Sequence, residues 1–309
     1  MAEQEWLEVP VFIHGITSER EPRSHASTYL AFQARVNKEL RGRGLSPWPE
    51  PPIMVEWGWE ASLGPDKYLA EAERVVAGEA LRLAAGEKRR GFNFNPLRKF
   101  TDGAREAFLY GFADMFYYVS ADGAKAVREN VYRHLDAEIE RHIKGSRAAR
   151  RRGVSLTFVT HSAGTVIGHD FLYRLFGWGA RPLLGVTLNK IRRLARRGRL
   201  RVRRFYTMGS PIVPFIFRSA ELVEKIRRRE KLRPEVIGLG PTEGLSNPRW
   251  VNFWTRDDLV AYPVAFLYDK VEGERVVVDR CVSLGEGFPR VHSAYWESDE
   301  IAEVVAETF

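Results

Sequence analysis

The sequence predicts an α/β fold, a mainly parallel sheet flanked by helices. Two observations carry that expectation. Short apolar runs rich in β-branched and aromatic residues, the mark of buried strands, alternate with longer stretches whose apolar residues recur at helical spacing. In addition, the run Val154-Ser-Leu-Thr-Phe-Val159 passes through Thr160-His-Ser-Ala-Gly164 directly into the apolar-periodic stretch Val166–Phe176. Ser162 is thereby expected on a sharp turn between a buried strand and a helix.

The remaining elements follow in order. Val9-Pro-Val-Phe-Ile-His-Gly-Ile16 reads as a short strand running into His14-Gly15. Ala26–Leu40 reads as an amphipathic helix ended by Gly42 and Gly44. Pro47, Pro49, Pro51 and Pro52 mark a loop, and Ile53–Trp57 is the next strand. Residues 58–120 are too long for a simple connection and are expected to form a helical insertion. Within it, Phe108–Val119 is apolar around most of its circumference, which leaves two readings open: a buried core helix, or a cap or lid. Trp57 and Trp59, where the insertion leaves a strand end, are candidates for lining a substrate pocket. Lys125–Ile143 places Val127, Val131, Leu135 and Ile139 on one helical stripe. Residues 177–198 form a basic connection to the strand Leu200–Met208, which ends in Gly209-Ser210-Pro211. Ala220–Arg229 is helical, Arg249–Thr255 and Arg275–Val282 are strands, and a last helix runs from Glu297 to Thr308. The chain, 1–309, thus reads as a single domain with 58–120 inserted in it.

Composition narrows the class. A hydrophobic fraction of 44% and an aromatic fraction of 12% suit a sizeable core. Cys281 is the single cysteine, so no internal disulfide forms and a reducing compartment is suited. The N-terminal residues lack the apolar centre of a signal peptide, and no apolar run is long enough to span a bilayer. A cytoplasmic protein is expected, with peripheral membrane contact and oligomeric state left open. The net charge of +8 comes largely from arginines clustered at 147–152, 192–204 and 227–233. Such clusters suit nucleic acid or an anionic surface. However, the first two precede predicted strands, on the sheet edge opposite a ligand site, where arginines favour helix C-termini. Solvated helix ends are the expectation, with no specific nucleic-acid site.

Ser162 carries the chemistry. A serine on a tight strand-to-helix turn points its hydroxyl outward, and the Ala163 N–H at the helix N-terminus is suited to hold a developing negative charge. The plain alternative is a serine that merely caps the helix.

Thr160-His-Ser-Ala-Gly164 resembles the G-x-S-x-G nucleophile elbow of the α/β-hydrolases, with Thr160 in place of the first glycine. His14-Gly15 after an early strand resembles the segment that supplies that family's second oxyanion N–H, which here falls on Ile16 beside the one from Ala163. The strand comes so early that the first two strands of the full hydrolase sheet are expected to be missing. The family orders its residues as serine, acid, histidine. The chain offers Ser162, then Asp257 or Asp258 after a late strand, then His292 before the last helix. Asp258-Leu-Val260 matches the aspartate, any residue, valine pattern of lipases and favours Asp258, while Asp279 falls within a predicted strand. Ser210 is a rival serine without the elbow pattern, and His161 and His169 read as packing or hydrogen-bonding residues. The resemblance implies a serine hydrolase acting on a carboxylic ester, a lipid or acyl ester among the options, with no cofactor. Acyl transfer, thioester or amide cleavage, and a non-catalytic hydrolase-like binding module stay open as alternatives. No His/Cys cluster or His-Glu-x-x-His suggests a metal.

Overall fold

The computed structural model describes residues 6–15, 25–57, 121–177, 189–216, 220–242 and 244–309. The chain divides into two compact units, one of Met1–Gly15, Arg23–Glu56 and Arg128–Phe309, the other of Ile16–Pro22 and Trp57–Val127. The expected insertion at 58–120, with Phe108–Val119 and Trp59, lies outside the described residues.

The first unit is an α/β fold. Six strands form one sheet: β1 Leu7–Ile13, β2 Ile53–Val55, β3 Val154–His161, β4 Leu200–Met208, β5 Trp250–Trp254 and β6 Val277–Cys281. Their order is β2-β1-β3-β4-β5-β6 and every pairing is parallel. The helices among the described residues are α1 Ala26–Gly42, α2 Ala121–Gly145, of which this unit includes the part from Arg128 on, α3 Arg147–Arg151, α4 Ala163–Phe176, α5 Asn189–Arg196, α6 Ile212–Ile216, α7 Ala220–Arg227, α8 Val291–Ala294 and α9 Asp299–Thr308. Strand β3 is buried along its whole length, as an unbroken β-branched and aromatic run requires when both sheet faces are covered. On α1 the buried side chains are Tyr29, Phe32, Gln33, Val36, Asn37 and Leu40, one stripe at helical spacing. On α2, Val131, Leu135 and Ile139 are buried as their spacing predicts. Helix α9 starts at Ser298, whose hydroxyl accepts the Ile301 N–H, and Asp299 and Glu300 suit the positive end of its dipole.

A register shift opposite Leu156 and Thr157 decides what each face of β4 buries. Val202 pairs with Leu156 but Arg204 pairs with Thr157, so Arg203 is an extra residue in β4. Beyond it, Tyr206 joins Phe12, Val159, Val251 and Phe253 against α1 and α9. Phe205 turns to the opposite face and meets Phe158, which in turn meets Phe171 of α4. Without the extra residue Arg204 and Phe205 would exchange faces.

Because all six strands are parallel, their carboxyl ends share one edge. That edge carries Gly15 after β1, Ser162 after β3, Gly209 after β4, Asp258 after β5 and His292 after β6. The chain moves from β1 outward to β2, then returns to add β3 on the other side. The strand order therefore reverses between β1 and β3, where open α/β sheets form a crevice for ligands.

Candidate active site

Ser162 sits at that reversal with φ 52° and ψ −131°, a conformation that a residue with a Cβ adopts only when its surroundings impose it. Several bonds do so. Its N–H donates to the carbonyl of Met208 at 2.9 Å, and its carbonyl accepts the Thr165 N–H at 2.9 Å and the Thr165 hydroxyl at 2.7 Å. Close approach of neighbouring backbone completes the turn. A Cβ on Gly164 would overlap the carbonyl oxygens of Ile13 and His14. One on Gly15 would fall 3.0 Å from Ser162 Oγ and inside contact with its Cβ. The ends of β1 and β3 thus meet only because glycines stand on both.

Thr160 occupies the place where the elbow pattern has glycine. It is fully buried, and its hydroxyl donates to the Tyr206 carbonyl at 3.1 Å. Its methyl is accommodated by Gly168 of α4, on which a Cβ would lie 3.1 Å from Thr160 Cγ2. The side chain on β3 is thus matched by a glycine on the helix packed against it.

The Ser162 side chain does not cap α4. Its Oγ lies 2.7 Å from His292 Nε2 instead. His292 Nδ1 lies 2.8 Å from Asp258 Oδ2, and the Asp258 side chain is fully enclosed. Asp258 also accepts the Val260 N–H at 3.0 Å and the Tyr295 hydroxyl at 3.0 Å. Burial alone would raise its pKa. The hydrogen bond and charge of His292, then the Val260 and Tyr295 donors, outweigh burial and bring it below the usual carboxylate value. Asp257 is exposed. The two lie in the turn that follows β5, closed by the Asp258 N–H donating to the Thr255 carbonyl, and Asp258 is the one turned to His292.

The residues named from sequence fall out as follows. Ser162, His292 and Asp258 are brought together, and Ala163 is the buried first residue of α4, so its N–H precedes the helix's own hydrogen-bond ladder. Ile16 and Trp59 lie outside the described residues, and Trp57 is buried just beyond β2. Ser210 is fully buried and held by the Thr165 hydroxyl at 2.9 Å and the Ile212 N–H at 3.3 Å. Asp279 accepts Asn252 Nδ2 and the N–H groups of Val264 and Ala265, and so pins the loop that carries Asp258. His292 lies on the short helix α8 rather than in a loop.

Sequence reasoning missed Tyr295, the third donor to Asp258. Its spacing of three from His292, which puts both on one side of a helical turn, was the available signal. It also missed Gly209, with φ 58°, where a Cβ would stand 3.2 Å from Asp258 Oδ2 and from His292 Cε1.

The arrangement can move a proton. A hydroxyl, an imidazole and an enclosed carboxylate stand in one hydrogen-bonded line at a strained turn, with a helix N-terminal N–H beside the hydroxyl. Among the described residues no group of three or more His, Cys, Asp or Glu is placed to hold a metal ion, and no helix is long and apolar enough to cross a membrane. No protein-family model, curated protein or solved structure matches the chain.

Proposed function

We propose that the chain is a serine hydrolase of the α/β-hydrolase kind that cleaves carboxylic esters, lipid or acyl esters among them, through an acyl-enzyme. The observation that supports it most is the line from Ser162 Oγ to His292 Nε2 at 2.7 Å and from His292 Nδ1 to Asp258 Oδ2 at 2.8 Å. In this reading His292 Nε2 takes the Oγ proton as Oγ attacks the ester carbonyl. Asp258 fixes the tautomer that leaves Nε2 free to accept and stabilises the imidazolium. The Ala163 N–H at the start of α4 is the described donor for the oxyanion; the second donor that the resemblance assigns to Ile16 lies outside the described residues. His292 then gives its proton to the departing alkoxide as the C–O bond breaks, leaving Ser162 acylated. Water, deprotonated by the same nitrogen, attacks the acyl carbon; as the acyl–Oγ bond breaks, His292 returns that proton to Ser162 Oγ and the acid is released.

Labelling with a fluorophosphonate tests this, because that probe reacts with an activated serine. The expected adduct maps to Ser162, and Ser162→Ala loses both the adduct and turnover of short p-nitrophenyl esters while staying folded. An adduct on Ser210, no adduct at all, or undiminished turnover by Ser162→Ala overturns the reading.

A further inference from the structure

His161 stands one residue before Ser162 on β3, paired in register with Met208 of β4, so its backbone is fixed by the sheet. His292 is held quite differently. It lies on a four-residue helix with no side-chain cap, tethered by backbone bonds from Val291 to Gly287 and from His292 to Pro289. So short a helix has almost no stability of its own, and tertiary contacts must place it. One such contact runs from His161 Nε2 to the backbone carbonyl of His292, across 131 residues of sequence. The two imidazole rings lie 4.9 Å apart, and Tyr295 and Trp296 close the other sides of His161 at 5.9 and 5.8 Å.

We propose that His161 is a positioning residue for the base: as a neutral imidazole it donates Nε2–H to the His292 carbonyl and so holds that turn at hydrogen-bond distance from Ser162. This rests on the serine-hydrolase reading. A carbonyl oxygen only accepts, so Nε2 carries the hydrogen, and the tautomer follows from the partner. The charge state follows from the surroundings. Burial first, then the neighbouring His292, hold the His161 pKa at about 3, against the opposing pull of the bond to the His292 carbonyl and a smaller one from Asp258, with a slight further lowering by His25. A neutral donor is what the position needs. A second cation here would oppose the imidazolium that forms on His292 during proton transfer. The bond links the residue before the nucleophile with the residue that carries the base, so it constrains the separation that decides reactivity.

The test compares His161→Leu, of similar bulk but without a donor, with His161→Gln, whose amide N reaches about as far as Nε2. On a short p-nitrophenyl ester, His161→Leu is expected to lower kcat about tenfold with KM nearly unchanged, since sub-ångström misplacement of reacting groups acts on the chemical step. Fluorophosphonate labelling of Ser162 should slow in parallel, and His161→Gln should restore most of both rates. Equal rates in Leu, Gln and wild type, or a loss confined to KM, overturn the positioning role while wild-type labelling at Ser162 leaves the hydrolase reading intact. Absence of wild-type labelling overturns that reading instead. Should the Leu variant not fold, imidazole nitrogen NMR of the wild type decides: a neutral Nε2–H tautomer persisting at pH 5 supports the assignment, and an Nδ1–H tautomer or a cation at that pH refutes it.

Discussion

The two edges of the sheet bury polar side chains in opposite ways. At the carboxyl edge the buried bases are neutral. Burial, then the neighbouring His25, lowers the His14 pKa to about 3, and His161 is held equally low by burial and His292. At the amino edge the buried bases keep their charge. Arg249 is 2% exposed, and burial followed by Arg204 and Arg201 lowers its pKa to about 10, still far above neutrality. Its guanidinium donates to the carbonyls of Val202, Gly238 and Gly240 and to the Thr242 hydroxyl. Arg204, 1% exposed, donates to the Thr308 carbonyl at the end of α9 and to Ser246. A cavity of about 420 Å³ opens at this edge, lined by Arg249, Thr242 and Glu274, and shares no lining residue with the Ser162 site. The contrast teaches what each edge is built for. Fixed carbonyl dipoles around a permanent cation tie the ends of strands and helices together. Neutral imidazoles beside Ser162 add no charge to the hydrogen-bonded line from Ser162 to Asp258.

The arginine clusters divide accordingly. Arg147, Arg150, Arg151, Arg227, Arg228 and Arg229 are exposed at helix ends, as their position predicts. In the second cluster Arg199, Arg201 and Arg203 are half-buried and Arg204 is buried, with Arg203 and Arg201 facing Glu8 at 3.0 and 3.7 Å. Those residues are structural rather than solvated, held by the carbonyls of Ala149, Arg150 and Thr308, by Ser246 and by Glu8, whereas Arg193, Arg196 and Arg197 of the same cluster are exposed at the end of α5.

The largest expected effect is confined to the carboxyl edge. Asp258→Asn should lower kcat by about four orders of magnitude, the scale of a wrongly held tautomer. Asp257→Asn should remain within about twofold of wild type, because exposed substitutions away from a site rarely do more. Steady-state kinetics on a short ester reads both, and equal losses would break the distinction between the enclosed and the exposed carboxylate.

At the amino edge the expected effect is on stability alone. Arg249→Met strips the donor from three carbonyls and a hydroxyl and should cost about 3 kcal/mol of unfolding free energy, the scale of leaving buried acceptors unmade. Turnover per folded molecule should be unchanged. Urea unfolding alongside active-site titration checks the pair of statements, and a loss of turnover without a loss of stability would dissolve the separation of the two edges.

A further effect distinguishes the edges by pH. Unfolded, His161 binds a proton below about 6.5; folded, only below about 3. Between those values the unfolded chain holds more protons, so stability falls as pH drops through that window, by about 1.4 kcal/mol per pH unit for this residue. His161→Gln should flatten the dependence of unfolding free energy on pH between 6.5 and 4 relative to wild type, and Arg249→Met should leave the slope as it is. Parallel slopes in wild type and His161→Gln would mean that the carboxyl edge does not hold this imidazole neutral.

The strands of the first unit were legible because period and composition act locally: β4 spans the predicted Leu200–Met208, and β3 begins at the predicted Val154. The turn at Ser162 was legible for the same reason, since Ala163 and Gly164 permit it within five residues of chain. Asp258 was named from a resemblance, the aspartate, any residue, valine pattern; the alternation expected against Asp257 does not apply, because the two stand in a turn rather than in an extended segment. The sequence by itself thus determined the parallel α/β class, which residues stand at strand exits, and the order serine, acid, histidine along the chain. Tertiary structure decided the rest. Ser162 and His292 are 130 residues apart and the Tyr295–Asp258 bond spans 37, separations at which no periodicity carries information. The glycine that admits Thr160 lies on the following helix, and the extra residue in β4 shows only when β4 is laid against β3. Periodicity tells which way a side chain points from its own element. What it meets there depends on how the elements pack, and at both edges of this sheet that packing sets which buried bases keep their charge.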